Sequence, residues 1–281
     1  MLELWYRFVE LTLPFDWAHY AFMKNALLAL LLVTPVFALI GTMVVSNRMA
    51  FFSDVLGHSA LTGIALGVLL GVRDPLWSMI SFMVILSVLI SLFKESTRAS
   101  FDTVLGVFFG AVVALGIVIL SRGGGFAKFT SYLIGDILAI SPSEMTGLAI
   151  LFLAVVGYWI FWGNKLVLIS VSPILAHSRR MAAFWIQTSF VMLLAAVVAF
   201  SIQLVGILMI NSLLILPAAA ARNLAHDIRS YTFWAIAFSL LSGVAGLLTS
   251  YYADTACGAT VVLFAALCYV LSAAVHFSRR R

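Results

Sequence analysis

The chain has 281 residues, 64% of them hydrophobic and 10% charged, with a mean hydropathy of +1.15. Ordinary soluble domains are about 45 to 50% apolar and about 25% charged, so this composition excludes a water-soluble globular protein and points to an all-α integral membrane protein. The net charge of +5 is explained by membrane orientation, with contact to lipid, and no basic patch interleaved with aromatics argues for nucleic acid.

Residues 1–21 mix Trp5, Arg7, Glu10, Asp16, Trp17 and His19 with leucines. That pattern suits a segment lying at the membrane interface better than one crossing it. An acid and aromatics stand where a secretory signal would carry a basic run, and no small-residue cleavage site follows, so the segment is expected in the mature chain. Apolar runs of crossing length then follow one another at about 22–46, 53–71, 75–93, 101–120, 144–163, 182–201, 204–221, 231–252 and 257–277. A bilayer requires about 20 residues per helix, so about nine spans are predicted, in a single transmembrane domain covering 1–281. Pro35 and Pro217 fall inside spans and are expected to kink them. Cys257 and Cys268 share one apolar run eleven positions apart, too far along a helix for a disulfide.

Basic residues set the orientation. With the N-terminus outside, the cytoplasmic set is Arg48, Lys94, Arg98, Lys165, Arg179, Arg180, Arg222, Arg229 and Arg279 to Arg281, against Arg7, Lys24, Arg73, Arg122 and Lys128 outside. This asymmetry predicts N-out, C-in by the positive-inside rule.

Two connections are long. Residues 121–143 hold Gly123-Gly124-Gly125 and an apolar Phe126 to Leu138 stretch, too short to span and expected as a re-entrant or surface helix on the outer side. Residues 164–181 form the largest cytoplasmic connection, in which Ser172 is a candidate N-cap with Pro173 at the first helical position. A short helix over 172–182 bearing Ile174, Leu175, Arg179 and Arg180 is predicted there. The bland reading of the two arginines is a plain topology anchor. No Gly-x-x-x-x-Gly-Lys-[Ser/Thr] occurs in the chain, so it has no phosphate-cradling loop of that kind.

Asp54 and His58 are the two residues of the second run that a bilayer would not choose. Four positions apart on a helix, they lie about 40° apart in azimuth and one turn apart in height, so both side chains enter one small volume. Gly63, Gly67 and Gly71 form a ridge on the other side, where a neighbouring backbone can approach closely. Counting from Arg48, His58 lies about 15 Å into a hydrocarbon core about 30 Å thick. Ionisable residues at that depth face a pathway or a partner. The bland alternative is that the pair is interhelical glue. Carboxylate plus neutral imidazole is a donor pair of borderline hardness, suited to zinc, manganese or ferrous iron. Two donors are too few for a tight site, but two copies of the chain meeting across a two-fold axis would supply four.

Other polar residues carry weaker signals. Asp102 reads as a helix-start carboxylate, Asp254 as an outer edge among aromatics, and Asn211 and Gln203 as interhelical hydrogen-bonders.

Met49 to Gly67, with Ser-Asp-x-x-x-His-Ser-x-x-x-Gly, resembles the signature helix of the permease subunits of bacterial ABC importers for zinc and manganese. Gly135 to Pro142, Val205 to Arg222, and Gly246 to Asp254 followed by Gly258 to Leu263 match the same family in order, over roughly 22–276. The resemblance implies a homodimeric permease of the type II importer fold in the bacterial cytoplasmic membrane. It also implies cytoplasmic ATP-binding subunits, contacted through 164–181, and an extracytoplasmic metal-binding protein that feeds the permease. Asp54 and His58 fall on the family's ion-binding acid and histidine. The ion is cargo, and no permanently bound cofactor is expected. After Ser172-Pro173 the family usually has an acidic residue and then a glycine, where this chain has Ile174 and the arginine pair. Thr255-Ala-Cys257 stands where a proline is common, and the proline frequent after the histidine in manganese-type members is absent, which leans the cargo toward zinc.

Two other classes compete. A membrane-embedded metalloenzyme would need three protein ligands and a water, and no His-Glu-x-x-His is present. A proton-coupled secondary transporter would relay protons through Asp54 and His58, and its usual pair of related halves with broken helices is not evident.

Overall fold

A computed structural model describes residues 2–12, 16–72, 74–97, 99–123 and 135–279. In hydrocarbon every backbone polar group must find its partner within the protein, and a helix does so within one segment. All regular structure among the described residues is helical: α1 (Leu2–Thr12), α2 (Ala21–Ser46), α3 (Ala50–Leu69), α4 (Pro75–Ser96), α5 (Phe101–Gly123), α6 (Pro142–Val171), α7 (Pro173–Ser178), α8 (Ala183–Val205), α9 (Ile207–Leu224), α10 (Ile228–Ala253) and α11 (Cys257–Arg279). Nine of these, all but α1 and α7, are long and apolar enough to cross a membrane. The nine predicted runs lie on them in order.

The helix boundaries follow local chemistry. Asp74 caps α4 by accepting from the Leu76 amide at 3.0 Å, with Pro75 at the first helical position. Ser141 and Glu144 form a reciprocal box at the start of α6, Glu144 accepting from the Ser141 amide at 2.8 Å. Gly71 sits just past α3 with φ of +70°, and the Val72 amide reaches back to the Gly67 carbonyl at 2.9 Å. That is a left-handed helix stop, so Gly71 terminates α3 and does not extend the packing ridge as expected.

Two further expectations shift. The fifth run was predicted to end near 163, where Asn164 and Lys165 interrupt the apolar pattern, but α6 continues to Val171. Lys165 is exposed, with its ammonium 5.4 Å from the centre of the Trp162 ring, so the charge leaves the helix surface without breaking the helix. The connection is correspondingly shorter, and its helix is the six residues of α7. Most of the expected outer helix over 126–138 lies outside the described residues, as do Arg73, Arg98, Lys128, Arg280 and Arg281 of the orientation count. From Gly135 the chain forms a single 3-10 turn, Ile137–Ala139, capped by Asp136.

The chain divides into two compact units, Met1–Val45 with Asp136–Gly157 and Ser212–Arg281, and Ser46–Gly135 with Tyr158–Asn211. In the first, α10 packs along α11. Small residues permit the closest approaches: a Cβ on Gly246 would lie 2.5 Å from the Val261 Cα, and one on Gly41 would lie 2.0 Å from the Leu214 carbonyl oxygen. Ser239 and Tyr231 of α10 donate to the Thr34 and Thr42 carbonyls of α2 at 3.0 and 3.4 Å. At its edge α1 is clasped to the start of α2. Trp5 donates to the Lys24 carbonyl, Tyr6 donates to Asn25, and the buried Lys24 ammonium donates to Glu10.

In the second unit, α3 is surrounded by α4, α5 and α8. The predicted glycine ridge is where α4 comes in: a Cβ on Gly63 would meet the Met79 Cα at 2.9 Å, and one on Gly67 would meet Ser78. Ser78 also donates to the Gly63 carbonyl at 2.6 Å. On the α5 side Thr62 donates to the Val112 carbonyl at 2.7 Å, and Gly116 makes room for it.

Candidate metal site

With α4, α5 and α8 covering most of α3, Asp54 and His58 keep partly open side chains, 39% and 46% exposed in this chain. The predicted convergence is present. His58 Nε2 lies 3.6 Å from Asp54 Oδ1, beyond ordinary hydrogen-bond length. The His58 ring meets Phe109 of α5 edge-on at 5.7 Å, and Phe51 in turn packs against the Phe109 ring at 5.9 Å. One side of the imidazole is thereby covered by aromatic packing.

A third residue joins them. Asn211 Nδ2 donates to Asp54 Oδ1 at 2.8 Å, while Asn211 Oδ1 is buried and, among the described residues, without a hydrogen-bond partner. The approach depends on Gly57, since a Cβ there would lie 2.7 Å from the Ile207 side chain. Ile207 opens α9, and Asn211 follows one turn later. The break before α9 is Gly206, at φ of +83°, with Gly135 pressed against its amide. Two glycines and a helix break thus deliver a carboxamide to a carboxylate 157 positions away in sequence. The sequence pattern identifies Asn211 only as an interhelical hydrogen-bonder. The signal that would have found its partner is Gly57, the small residue inside the Asp54 to His58 turn.

Chemically the cluster offers a carboxylate, an imidazole and an unsatisfied carboxamide oxygen. The orphan oxygen is the kind of buried acceptor that a bound cation satisfies. Among the described residues no group of three or more His, Cys, Asp and Glu side chains forms a complete metal cage.

The residues predicted to meet a partner are elsewhere in the same unit. Ser172 Oγ accepts weakly from the Leu175 amide at 3.4 Å, and Pro173 opens α7. Ile174 is 82% exposed and Leu175 53%, both on a six-residue helix between spans. Arg179 and Arg180 are exposed, and Arg180 has φ of +51° while the next amide, of Met181, returns to the Ala176 carbonyl at 3.1 Å. This is again a left-handed helix stop, here made by an arginine in a conformation glycine adopts more readily. Of the weaker candidates, Asp102 lies in the first turn of α5, but the cap itself is Ser100, accepting from the Thr103 amide at 3.2 Å. Asp254 is the left-handed C-cap of α10.

Comparison with known proteins gives consistent results. The model of the ABC 3 transport family matches residues 19–276. The high-affinity zinc uptake system membrane protein ZnuB of Haemophilus influenzae is 36% identical over 248 residues, covering 88% of this chain and 95% of that protein. The manganese import system permease protein ScaB of Streptococcus gordonii is 30% identical over 254 residues, covering 89% and 90%. Among solved structures, a chain of PsaBC from Streptococcus pneumoniae in complex with Fab is similar with a TM-score of 0.78 and 25% identity, covering 97% of this chain and 95% of that one.

Proposed function

This chain belongs to the ABC 3 transport family, and from that premise we propose that Asp54, His58 and Asn211 form its half of the site through which an imported ion passes. It is a multi-pass permease subunit of an ABC metal importer in the bacterial cytoplasmic membrane, a transport component and not an enzyme. The cargo we assign is zinc before manganese. Support comes from the greater identity to the relative named for zinc uptake, 36% against 30%, and from a carboxylate and imidazole pair of borderline hardness.

The observation that carries this reading is the contact of Asn211 with Asp54 beside His58. Three polar groups from two helices converge while both ionisable side chains stay open, which interhelical glue does not require. Asp54 supplies charge to offset a divalent cation, and His58 supplies a nitrogen donor. Asn211 holds Asp54 in place, and its own free oxygen is within the cluster. A second copy, related by two-fold symmetry, would bring the same set and complete the coordination.

In this reading the whole chain acts as one transmembrane domain, N-terminus outside, with 1–21 at the interface. The 164–181 segment faces the cytoplasm. Ile174 and Leu175 of α7 are the apolar core of the contact with an ATP-binding subunit, ringed by Arg179 and Arg180, and an extracytoplasmic metal-binding protein delivers the ion.

The test is accumulation of radiolabelled zinc by cells producing the permease with and without its ATP-binding partner. Uptake is expected only with the partner and only while ATP is present. Accumulation by the permease alone, following an imposed proton gradient, would overturn the reading in favour of a proton-coupled carrier. Ile174→Asp with Leu175→Asp should release the ATP-binding subunit during purification while leaving the permease folded.

A further inference from the structure

A second polar site lies in the same unit, at the start of α3, just before the turn that carries Asp54. A cavity of about 300 Å³ opens where the start of α3, the facing ends of α4 and α5, the end of α6 and the start of α8 come together. We infer that it binds the headgroup of a zwitterionic phospholipid, an ethanolamine phosphate ester. The inference stands independently of which ion the permease carries.

Four charges line the cavity, Arg48 and Lys94 against Glu95 and Asp102. Opposite charges sharing one cavity would be expected to pair, yet among the described residues none of these four makes an ion pair within 4.0 Å. Lys94 instead places its ammonium 5.1 Å from the centre of the Phe101 ring. Among the described residues the cavity wall therefore carries two cations and two carboxylates, each exposed and without an ion-pair partner.

Thr188 adds an independent observation. Thr188 lines the cavity and is 5% exposed, and among the described residues its hydroxyl has no hydrogen-bond partner. A helical hydroxyl ordinarily returns to a carbonyl one turn earlier, as Ser189 beside it does to Ile186 at 2.9 Å and Thr34 does to Leu30 at 2.8 Å. Thr188 forgoes that bond, and a buried donor left unmade costs free energy that a ligand group in the cavity would recover.

The charge pattern selects the ligand. A phosphate monoanion alone would leave Glu95 and Asp102 unanswered, and a metal cation would be repelled by Arg48 and Lys94. A zwitterion answers all four: phosphate oxygens accept from Arg48, Lys94 and Thr188, and the ammonium donates to the two carboxylates. Ethanolamine fits better than choline because its ammonium carries N–H donors. Position agrees, since the lining charges sit at the ends of membrane-spanning helices, at the level of lipid headgroups. The apolar part of the wall, including Phe184 and Ile169, suits the glycerol and the first carbons of the chains. The volume is at the small end of ligand sites, which run from about 300 to 1,000 Å³, and so fits a headgroup and not a whole lipid.

The experiment is native mass spectrometry of the full-chain permease, extracted from vesicles of phosphatidylethanolamine, phosphatidylcholine or phosphatidylglycerol. Thermal melting of each variant serves as the folding control. Wild type should retain about one phosphatidylethanolamine per chain and several-fold less of either other lipid. Thr188→Val, which keeps the side-chain shape, and Asp102→Asn, at an exposed position, should each retain several-fold less phosphatidylethanolamine with unchanged melting. Equal retention by wild type and both variants would overturn the site, as would phosphatidylglycerol held as tightly as phosphatidylethanolamine. Loss of a co-purifying ATP-binding subunit, with lipid retention unaltered in the variants, would reassign the cavity to a protein contact and also overturn it.

Discussion

Lys24 and Asp54 are both ionisable residues on membrane-spanning helices, and the fold treats them in opposite ways. Lys24 is 4% exposed. Its ammonium donates to Glu10 and lies 5.2 Å from the centre of the Tyr6 ring, and its carbonyl accepts from Trp5. Every side chain of that cluster comes from α1, whose docking the charge secures. Asp54 is open, receives one hydrogen bond on one oxygen, and stands 3.6 Å from an imidazole that does not close on it. A saturated, buried charge is structural, because breaking it leaves an uncompensated ion. An open charge with unused donor and acceptor capacity has been left for something else to bind.

The sharpest way to break this comparison is to substitute the open pair. His58→Ala removes a nitrogen donor, and Asp54→Asn keeps the shape while removing the charge that offsets a divalent cation. Each should bring zinc uptake down to background while thermal melting in detergent stays near wild type. Variants that fold and still accumulate metal at wild-type rates would sink the site. Variants that lose yield, with normal uptake by whatever folds, would place Asp54 in the same class as Lys24.

Asn211→Ala tests the third member at smaller amplitude. It leaves both proposed ligands in place and frees the Asp54 carboxylate from its interhelical hydrogen bond. Groups that orient a ligand typically contribute about 10- to 100-fold to metal affinity. A rise of that size in the zinc concentration for half-maximal uptake is expected, with Asn211→Asp restoring part of it by adding an anionic donor. No change with alanine would remove Asn211 from the site and leave the Asp54 contact as packing.

How far these features were legible depends on the range over which each is specified. Asp54 and His58 are readable because their relation is one helical turn, fixed by the backbone whatever surrounds it. The nine spans are readable for a similar reason, since apolar length alone decides them. The contact of Asn211 with Asp54 is not, because it depends on α9 approaching α3 through Gly57 and on the break at Gly206. Those are properties of packing between segments far apart in sequence. The end of α6 was misplaced because hydropathy treats Lys165 as a boundary, whereas a long cationic side chain can stay on a continuing helix by lying along Trp162. Arg48 and Lys94 read as orientation signals and Asp102 as a helix-start carboxylate, and only the fold gathers them with Glu95 around one space.

On the structural side of the comparison, Glu10→Gln should lower the melting temperature and leave uptake per folded molecule unchanged. The substitution removes the counter-charge of a buried ammonium while retaining an acceptor for one hydrogen bond. Reduced uptake in a population that melts normally would show that the α1 clasp takes part in transport after all.

The smallest effect is the acid sensitivity of that clasp, and its sign follows from Glu10. The hydrogen bond from Lys24, reinforced by the charge of the same ammonium, holds the Glu10 carboxyl below its ordinary value of 4.5. A carboxyl depressed in the folded state binds its proton more readily when the clasp is open, so the clasp is favoured at higher pH. The contribution is fully present above that ordinary value and is lost as pH falls through the depressed folded value. Because Glu10 is solvent-exposed, screening keeps the contribution modest, and local opening is a better readout than global melting. Hydrogen exchange at the amides of Tyr6 to Glu10 should therefore accelerate, after correction for intrinsic rates, on acidification through the carboxylate range. In Glu10→Gln the same amides should be less protected at neutral pH and show no such acid step. An acid step of the same midpoint in both proteins would assign it to another carboxyl and detach α1 from the Lys24 pair.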